Sequence, residues 1–135
     1  MLGALESPAG RRSAAHLSEP MDCIFCKIAS GEIPCKKVME GEHFIAFDDI
    51  APSAPVHTLV IPRKHVANLA EIEDEDWELM GRLMLAVRDV ARAKGVDEAG
   101  FRTIANTRNH GGQEVFHLHI HVIGGRPLGR KLLGS

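Results

Sequence analysis

The sequence predicts an α+β domain: an antiparallel five-stranded sheet with one main helix and a short N-terminal helix. Three observations carry this. Five short β-rich runs are separated by turn residues, and a single stretch, residues 73–94, carries apolar residues at helical spacing. Near the C-terminus, His117-Leu118-His119-Ile120-His121-Val122-Ile123 alternates histidine with aliphatic residues. In an extended strand that alternation places the three histidines on one face and the aliphatic residues on the other.

The elements follow in order. Residues 1–20 are rich in Ala, Ser, Gly and Pro without periodicity, and read as a disordered extension before a domain over 21–135. Asp22 to Ile28 reads as a helical turn with Asp22 as N-cap and Ser30-Gly31 as its stop. Lys36–Met39 and His43–Phe47 form a candidate hairpin about Glu40-Gly41-Glu42. Val56–Ile61 is a third β-rich run, entered from a Pro-bearing loop and closed by Pro62. After a connecting segment, Glu73-Asp74-Glu75-Asp76 places acids on the first turn of a helix, where they complement its dipole. That helix extends to about Lys94, with Trp77, Met80, Leu83, Met84, Val87 and Val90 at helical spacing, and Gly95 stops it. Phe101–Ala105 is a fourth strand. Asn106–Gly112 is a polar loop, and Val115–Ile123 the fifth strand.

Composition excludes several classes. The chain has 135 residues, 44% hydrophobic and 25% charged, with net charge −2. That balance argues against an electrostatic nucleic-acid binder. No apolar run approaches the ~20 residues of a membrane span. Three cysteines, two of them in Cys23-x-x-Cys26, fit reduced thiols or a metal site better than a disulfide framework, which suits a cytoplasmic protein.

The histidine run carries the chemistry. Its three imidazoles would be spaced roughly 7 Å apart, two residues' rise. An imidazole attacks at neutral pH if one nitrogen is bare and the other is held as N–H by an acceptor. Phosphorus is a suitable electrophile, provided attack is in line and nearby donors neutralise the equatorial oxygens. His119, in the middle, is best placed to attack, with His117 and His121 as flanking donors. Gly111 and Gly112 let backbone N–H groups approach a phosphate, and Asn106 and Gln113 add neutral polar groups. A zinc enzyme using His-x-His is the rival reading of the same run.

The run His117-Leu118-His119-Ile120-His121-Val122-Ile123 resembles the signature of the histidine triad family. Asn106–Gly129 around it is similar to the bacterial form of that family's Hint branch. Phe47–Pro62 resembles the branch's second block, and Ile24-Phe25 with Gly31-Glu32-Ile33-Pro34 extends the match over residues 22–129. The resemblance implies a homodimeric hydrolase of purine nucleoside phosphoramidates, such as adenosine 5′-phosphoramidate or nucleotidyl-lysine, that needs no catalytic metal. It implies that His119 forms a nucleotidyl-histidine which water then hydrolyses. His121 and His117 would complete the triad, and His57 would support it. Asp49 would hold the ribose, and Ile24, Phe25, Ile28, Phe47, Ile50 and Leu59 would wall the base. Asn106 and Gln113 would border the phosphate, and Gly112, Glu114 and Val115 would complete the nucleotide-binding set. Glu114 stands where many relatives have Ser.

Some relatives also bind a structural zinc through a Cys-x-x-Cys pair and two histidines, which implies Cys23, Cys26, His65 and His117 here. A dinucleoside polyphosphate hydrolase or nucleotidyl transferase is the rival on the same fold. The Gly124-Gly125-Arg126 exit, in place of a Pro-Arg ending, argues against it. A rival of another class is a non-catalytic nucleotide-binding interaction protein.

Overall fold

The computed structural model describes residues 22–130, so the N-terminal extension and His16 lie outside the described residues. The sheet is built around its middle strand. Strands β1 (Lys37–Glu40), β2 (Phe44–Asp48), β3 (Val56–Pro62), β4 (Phe101–Ile104) and β5 (Ile120–Gly124) lie in the order β1-β2-β3-β5-β4, with every neighbouring pair antiparallel. Buried on both faces, β3 carries the β-branched and aliphatic run expected of a central strand.

Two helices cover opposite faces. Helix α2 (Trp77–Ala93) sets Leu83, Ala86, Val87, Val90 and Ala91 against Ala46, Val60, Leu118, Ile120 and Val122. Helix α1 (Ile24–Ala29) sets Phe25 and Ile28 against Ile45, Phe47, Leu59 and Ile61, the alternate residues of the same strands. The period of two along β2 and β3 therefore builds two cores, one under each helix.

Four sequence expectations are corrected. The N-cap of α1 is Cys23, not Asp22: its sulfur accepts the Cys26 N–H at 3.3 Å. The acids of residues 73–76 form a separate 3-10 turn, Asp74–Asp76, ahead of α2. Asp76 bends back to accept the Glu73 N–H (3.1 Å) and pairs with Lys64 at 2.6 Å, which holds the turn apart from the helix. Trp77 and Met84 sit at helical spacing yet are exposed, 74% and 52%. The α-helical stripe that meets the sheet is narrower than the run of apolar residues.

The fifth strand is also shorter than expected. Its ladder begins at Ile120, opposite Val60, and the residues before it find other partners. Leu118 N–H donates to Val66 O at 2.7 Å, and His117 Nε2–H donates to Pro62 O at 2.8 Å. The alternation survives without the ladder: Leu118 is buried in the α2 core, while His117 and His119 face Phe25 of α1.

One residue that the sequence left in a connecting segment holds this framework together. Arg63 donates to Gly41 O (3.0 Å), Ala29 O (2.6 Å) and Glu40 Oε1 (2.8 Å), joining the β1–β2 hairpin to the end of α1. Its charge-assisted bonds fix the height of α1 over the sheet.

Candidate active site

The α1 face of the sheet is open at its β5 side, and a cleft of about 830 Å³ lies there. Ile24, Phe25 and Ile28 of α1, Phe47 of β2 and Leu59 of β3 form an apolar wall. Asp49, Ile50, Asn106, Gly112, Glu114, Val115, His119 and His121 complete it. Thirteen of the sixteen expected catalytic and nucleotide-binding residues thus line the cleft, and His57, His117 and Gln113 do not. His117 is fully buried, and Gln113 spends its amide inside its own loop: Nε2–H donates to Ala67 O (2.7 Å) and Val115 O (3.0 Å), while Oε1 accepts the Arg108 N–H (2.8 Å). His57 lies behind His121.

The hydrogen bonds fix the tautomers, since a neutral imidazole has one N–H and one bare nitrogen. A carbonyl can only accept, so the 2.7 Å contact of His119 Nδ1 with His117 O requires an Nδ1–H. That leaves His119 Nε2 bare. Ser53 N–H donates to His57 Nδ1 at 2.9 Å, so His57 carries its proton on Nε2. His57 Nε2 lies 2.8 Å from His121 Nδ1 and 3.4 Å from Asp49 Oδ2. His57 therefore donates to His121 Nδ1, and His121 bears its proton on Nε2. The cleft receives a bare imidazole nitrogen from His119 and an N–H from His121.

Register explains the arrangement. His121 pairs with Leu59 and Ile123 with His57, so His57 and His121 are diagonal neighbours on one face. Asp49 follows the end of β2, and its N–H donates to His57 O at 2.9 Å, which sets the carboxylate beside the imidazole. The rings of His119 and His121 are 5.1 Å apart, closer than the roughly 7 Å of a regular strand. His119 precedes the ladder and tilts toward Phe25, whose ring meets it edge-on at 5.1 Å.

Burial keeps these rings neutral. Desolvation pushes His119 below the usual histidine range, partly opposed by its bond to His117 O and by Asp49. Desolvation pushes His121 down to about 4, helped by the neighbouring His119 and His57.

Two clusters hold atoms at metal-ligating distances: Cys23, Cys26, His65 and His117, and Asp49, His57 and His121. Their surroundings distinguish them. His117 donates Nε2–H to Pro62 O and points bare Nδ1 at Cys23 Sγ (3.3 Å) and Cys26 Sγ (3.5 Å). Cys26 Sγ lies 3.3 Å from His65 Nδ1. A ligating histidine whose other nitrogen donates to a carbonyl is the usual metal arrangement, and two thiols with two imidazoles suit tetrahedral zinc. Burial and Cys23 push the Cys26 thiol up to about 12, so a cation is what would favour its thiolate. The second cluster does not fit a metal, because the Ser53 N–H on Nδ1 obliges His57 to keep its proton on the would-be ligand atom.

Sequence reasoning missed Ile33, Pro34, Cys35 and Lys36, which line the cleft beside α1, and Asp48 next to Asp49. Asp48 accepts from Thr58 (2.9 Å) and pairs with Lys94 (2.9 Å). Ser53 acts through its backbone N–H, so no side-chain signal could have marked it. His43 is half-buried and His110 exposed, neither in the cleft.

With this geometry in view, the comparisons are direct. The HIT domain model matches residues 30–128. The chain belongs to the HIT family. It is similar to protein HitA of Neisseria gonorrhoeae, at 50% identity over 103 residues, 76% of this chain and 95% of that one. Purine nucleoside phosphoramidase of Escherichia coli K12 is 41% identical over 111 residues, 82% of this chain and 93% of its own length. Among solved structures, a histidine triad protein from Clostridium difficile aligns with TM-score 0.81 at 45% identity, covering 85% of this chain and all of that one. A HIT family hydrolase from Legionella pneumophila aligns with TM-score 0.78 at 44% identity, covering 80% and 96%. The HIT fold expected from the sequence is the fold observed.

The depressed histidines make stability depend on pH. A histidine whose folded pKa lies below its ordinary value contributes fully above about pH 6.5, and its contribution is lost as pH falls toward the folded value. For His121 that window runs from about 6.5 down to about 4. The urea midpoint of unfolding should be flat from pH 8 to 7 and decline steadily below 6.5, less steeply in His121→Gln. A midpoint unchanged down to pH 5 would show that these rings are not held neutral.

Proposed function

We propose that this HIT protein hydrolyses the P–N bond of purine nucleoside phosphoramidates through a nucleotidyl-histidine intermediate on His119. The observation that carries the proposal is the bare, buried Nε2 of His119, held ready by the 2.7 Å Nδ1–H bond to His117 O and facing a cleft with an apolar wall. The similarity to a purine nucleoside phosphoramidase supports the substrate class.

The chemistry follows from the tautomers. The base lies between Ile24, Phe25 and Leu59, and Asp49 takes the ribose hydroxyls. His119 Nε2 attacks phosphorus in line with the leaving amine while Asn106 and the Gly112 backbone steady the phosphate oxygens. The P–N bond breaks as the departing nitrogen, having taken a proton from solvent, leaves as the free amine, while His121 Nε2–H, oriented by the His57 Nε2–H bond to its Nδ1, donates to the phosphate. Water then attacks the nucleotidyl-histidine, returns one proton to solvent, and frees the monophosphate and the bare His119 Nε2. An apolar slot of this kind accepts either purine.

A structural zinc would be held by Cys23, Cys26, His65 and His117 and would supply a cross-link between α1 and the segment that orients His119. His117 then serves as ligand and backbone acceptor instead of contacting phosphate. The open edge of β4, with Phe101 exposed, supports a homodimer, and three free cysteines suit a reducing cytoplasm.

Turnover of a fluorogenic adenosine phosphoramidate should fall by roughly 10⁴-fold or more in His119→Ala. Rapid quenching of the parent protein should reveal a nucleotidyl adduct on His119 by mass. Undiminished turnover in the variant would refute the nucleophile. For the metal, elemental analysis of purified protein should find about one zinc per chain. The Cys23→Ser/Cys26→Ser double variant should lose it. Folded parent protein free of metal would sink the zinc site.

A further inference from the structure

One charge at the reacting end of the cleft takes no part in the chemistry above. Glu114 lines the cavity with His119, His121 and Gly112 and is exposed. None of the ion pairs among the described residues includes it. A rim carboxylate is ordinarily a solvated surface group, but this one stands on a loop that is fixed in place.

Gln113, immediately before it, is 8% exposed and anchored at Ala67, Val115 and Arg108. Gly111 packs so closely on Thr107 that a Cβ would lie 2.4 Å from the Thr107 carbonyl oxygen, and Gly112 turns with φ +75°. Val115, on the other side, is itself part of the cavity wall. The backbone therefore delivers the Glu114 side chain to the cleft mouth.

The nearby cations are committed elsewhere. Arg108 pairs with Glu71, Lys94 pairs with Asp48, and the charge of Lys36 acts on Asp48. Of the charged residues that line the cleft, Lys36 acts on Asp48 and Asp49 lies against His57, which leaves Glu114 as the carboxylate outside the ion pairs of the described residues.

We propose that Glu114 determines leaving-group specificity: it favours phosphoramidates whose leaving amine bears a further positive charge over those with neutral or anionic amines. The inference rests on the phosphoramidase reading and names its substrate class more closely. The P–N bond breaks in the same way in each case, with one proton passing to nitrogen, so a difference between such substrates reports the charge alone. The same carboxylate repels any second phosphate group, which disfavours polyphosphate substrates. The effect is confined to charges within a Debye length of about 10 Å at 0.1 M salt.

Three adenosine 5′-phosphoramidates with leaving amines of similar length test this: 1,3-diaminopropane (ammonium end), butylamine (neutral) and β-alanine (carboxylate end). For the wild type, kcat/KM should fall in that order, by about tenfold or more from first to last, and high salt should compress the order. Glu114→Gln should narrow the range to within about threefold, and Glu114→Lys should invert it. If the wild type cleaves all three equally, or Glu114→Gln keeps the full range, the specificity role is wrong and the phosphoramidase reading stands. If the wild type cleaves none of them, that reading falls and this inference falls with it.

Discussion

The hydrogen bond from His119 Nδ1–H to the His117 carbonyl, 2.7 Å long, leaves bare the nitrogen proposed to attack, and much of the surrounding structure serves to place that carbonyl. Residues 117–119 precede the regular ladder of β5, so sheet pairing does not hold them. They are held by Leu118 N–H on Val66 O, by His117 Nε2–H on Pro62 O, and by the contacts of His117 Nδ1 with two cysteine sulfurs. A segment outside the ladder can tilt, and this tilt brings His119 within 5.1 Å of His121 and of Phe25.

Electrostatics and packing work together here. Aromatic and aliphatic residues around the rings remove them from water, which disfavours the imidazolium and keeps His119 Nε2 bare at neutral pH. The same burial would strand an unpaired N–H, and the structure avoids this by a chain of donors that ends at His121, whose Nε2–H opens on the cleft. Ser53 donates to His57, and His57 to His121, while no buried side-chain polar atom among the described residues lacks a partner. Helix α1 belongs to both halves of this scheme. Only six residues long, it is too short to be stable alone, and it draws its stability from Phe25 and Ile28 in the core and from Arg63 on its last carbonyl.

Much of this was legible in the sequence, because it rests on periodicity and turn chemistry. The five strands, the two helices and the two-faced histidine run all follow from alternation of period two or 3.6. The resemblance brought Asp49, His57 and the apolar wall together. What escaped were features set by long-range geometry. That His117 and Gln113 turn away from the cleft depends on the carbonyls of Pro62 and Ala67, which no local pattern encodes. Cys23 caps α1 because its sulfur also meets His117, 94 residues away. Trp77 and Met84 share the helical repeat of the buried residues but fall outside the arc that meets the sheet, and only the packing reveals that boundary.

The central claim is that hydrogen bonding and burial together leave Nε2 of His119, the proposed nucleophile, bare. Long-range proton–nitrogen NMR correlation of the histidine rings at pH 7.5 tests it most directly. The account predicts that His119 carries its proton on Nδ1 and that His57 and His121 carry theirs on Nε2. A His119 ring protonated on Nε2, or on both nitrogens, would contradict it.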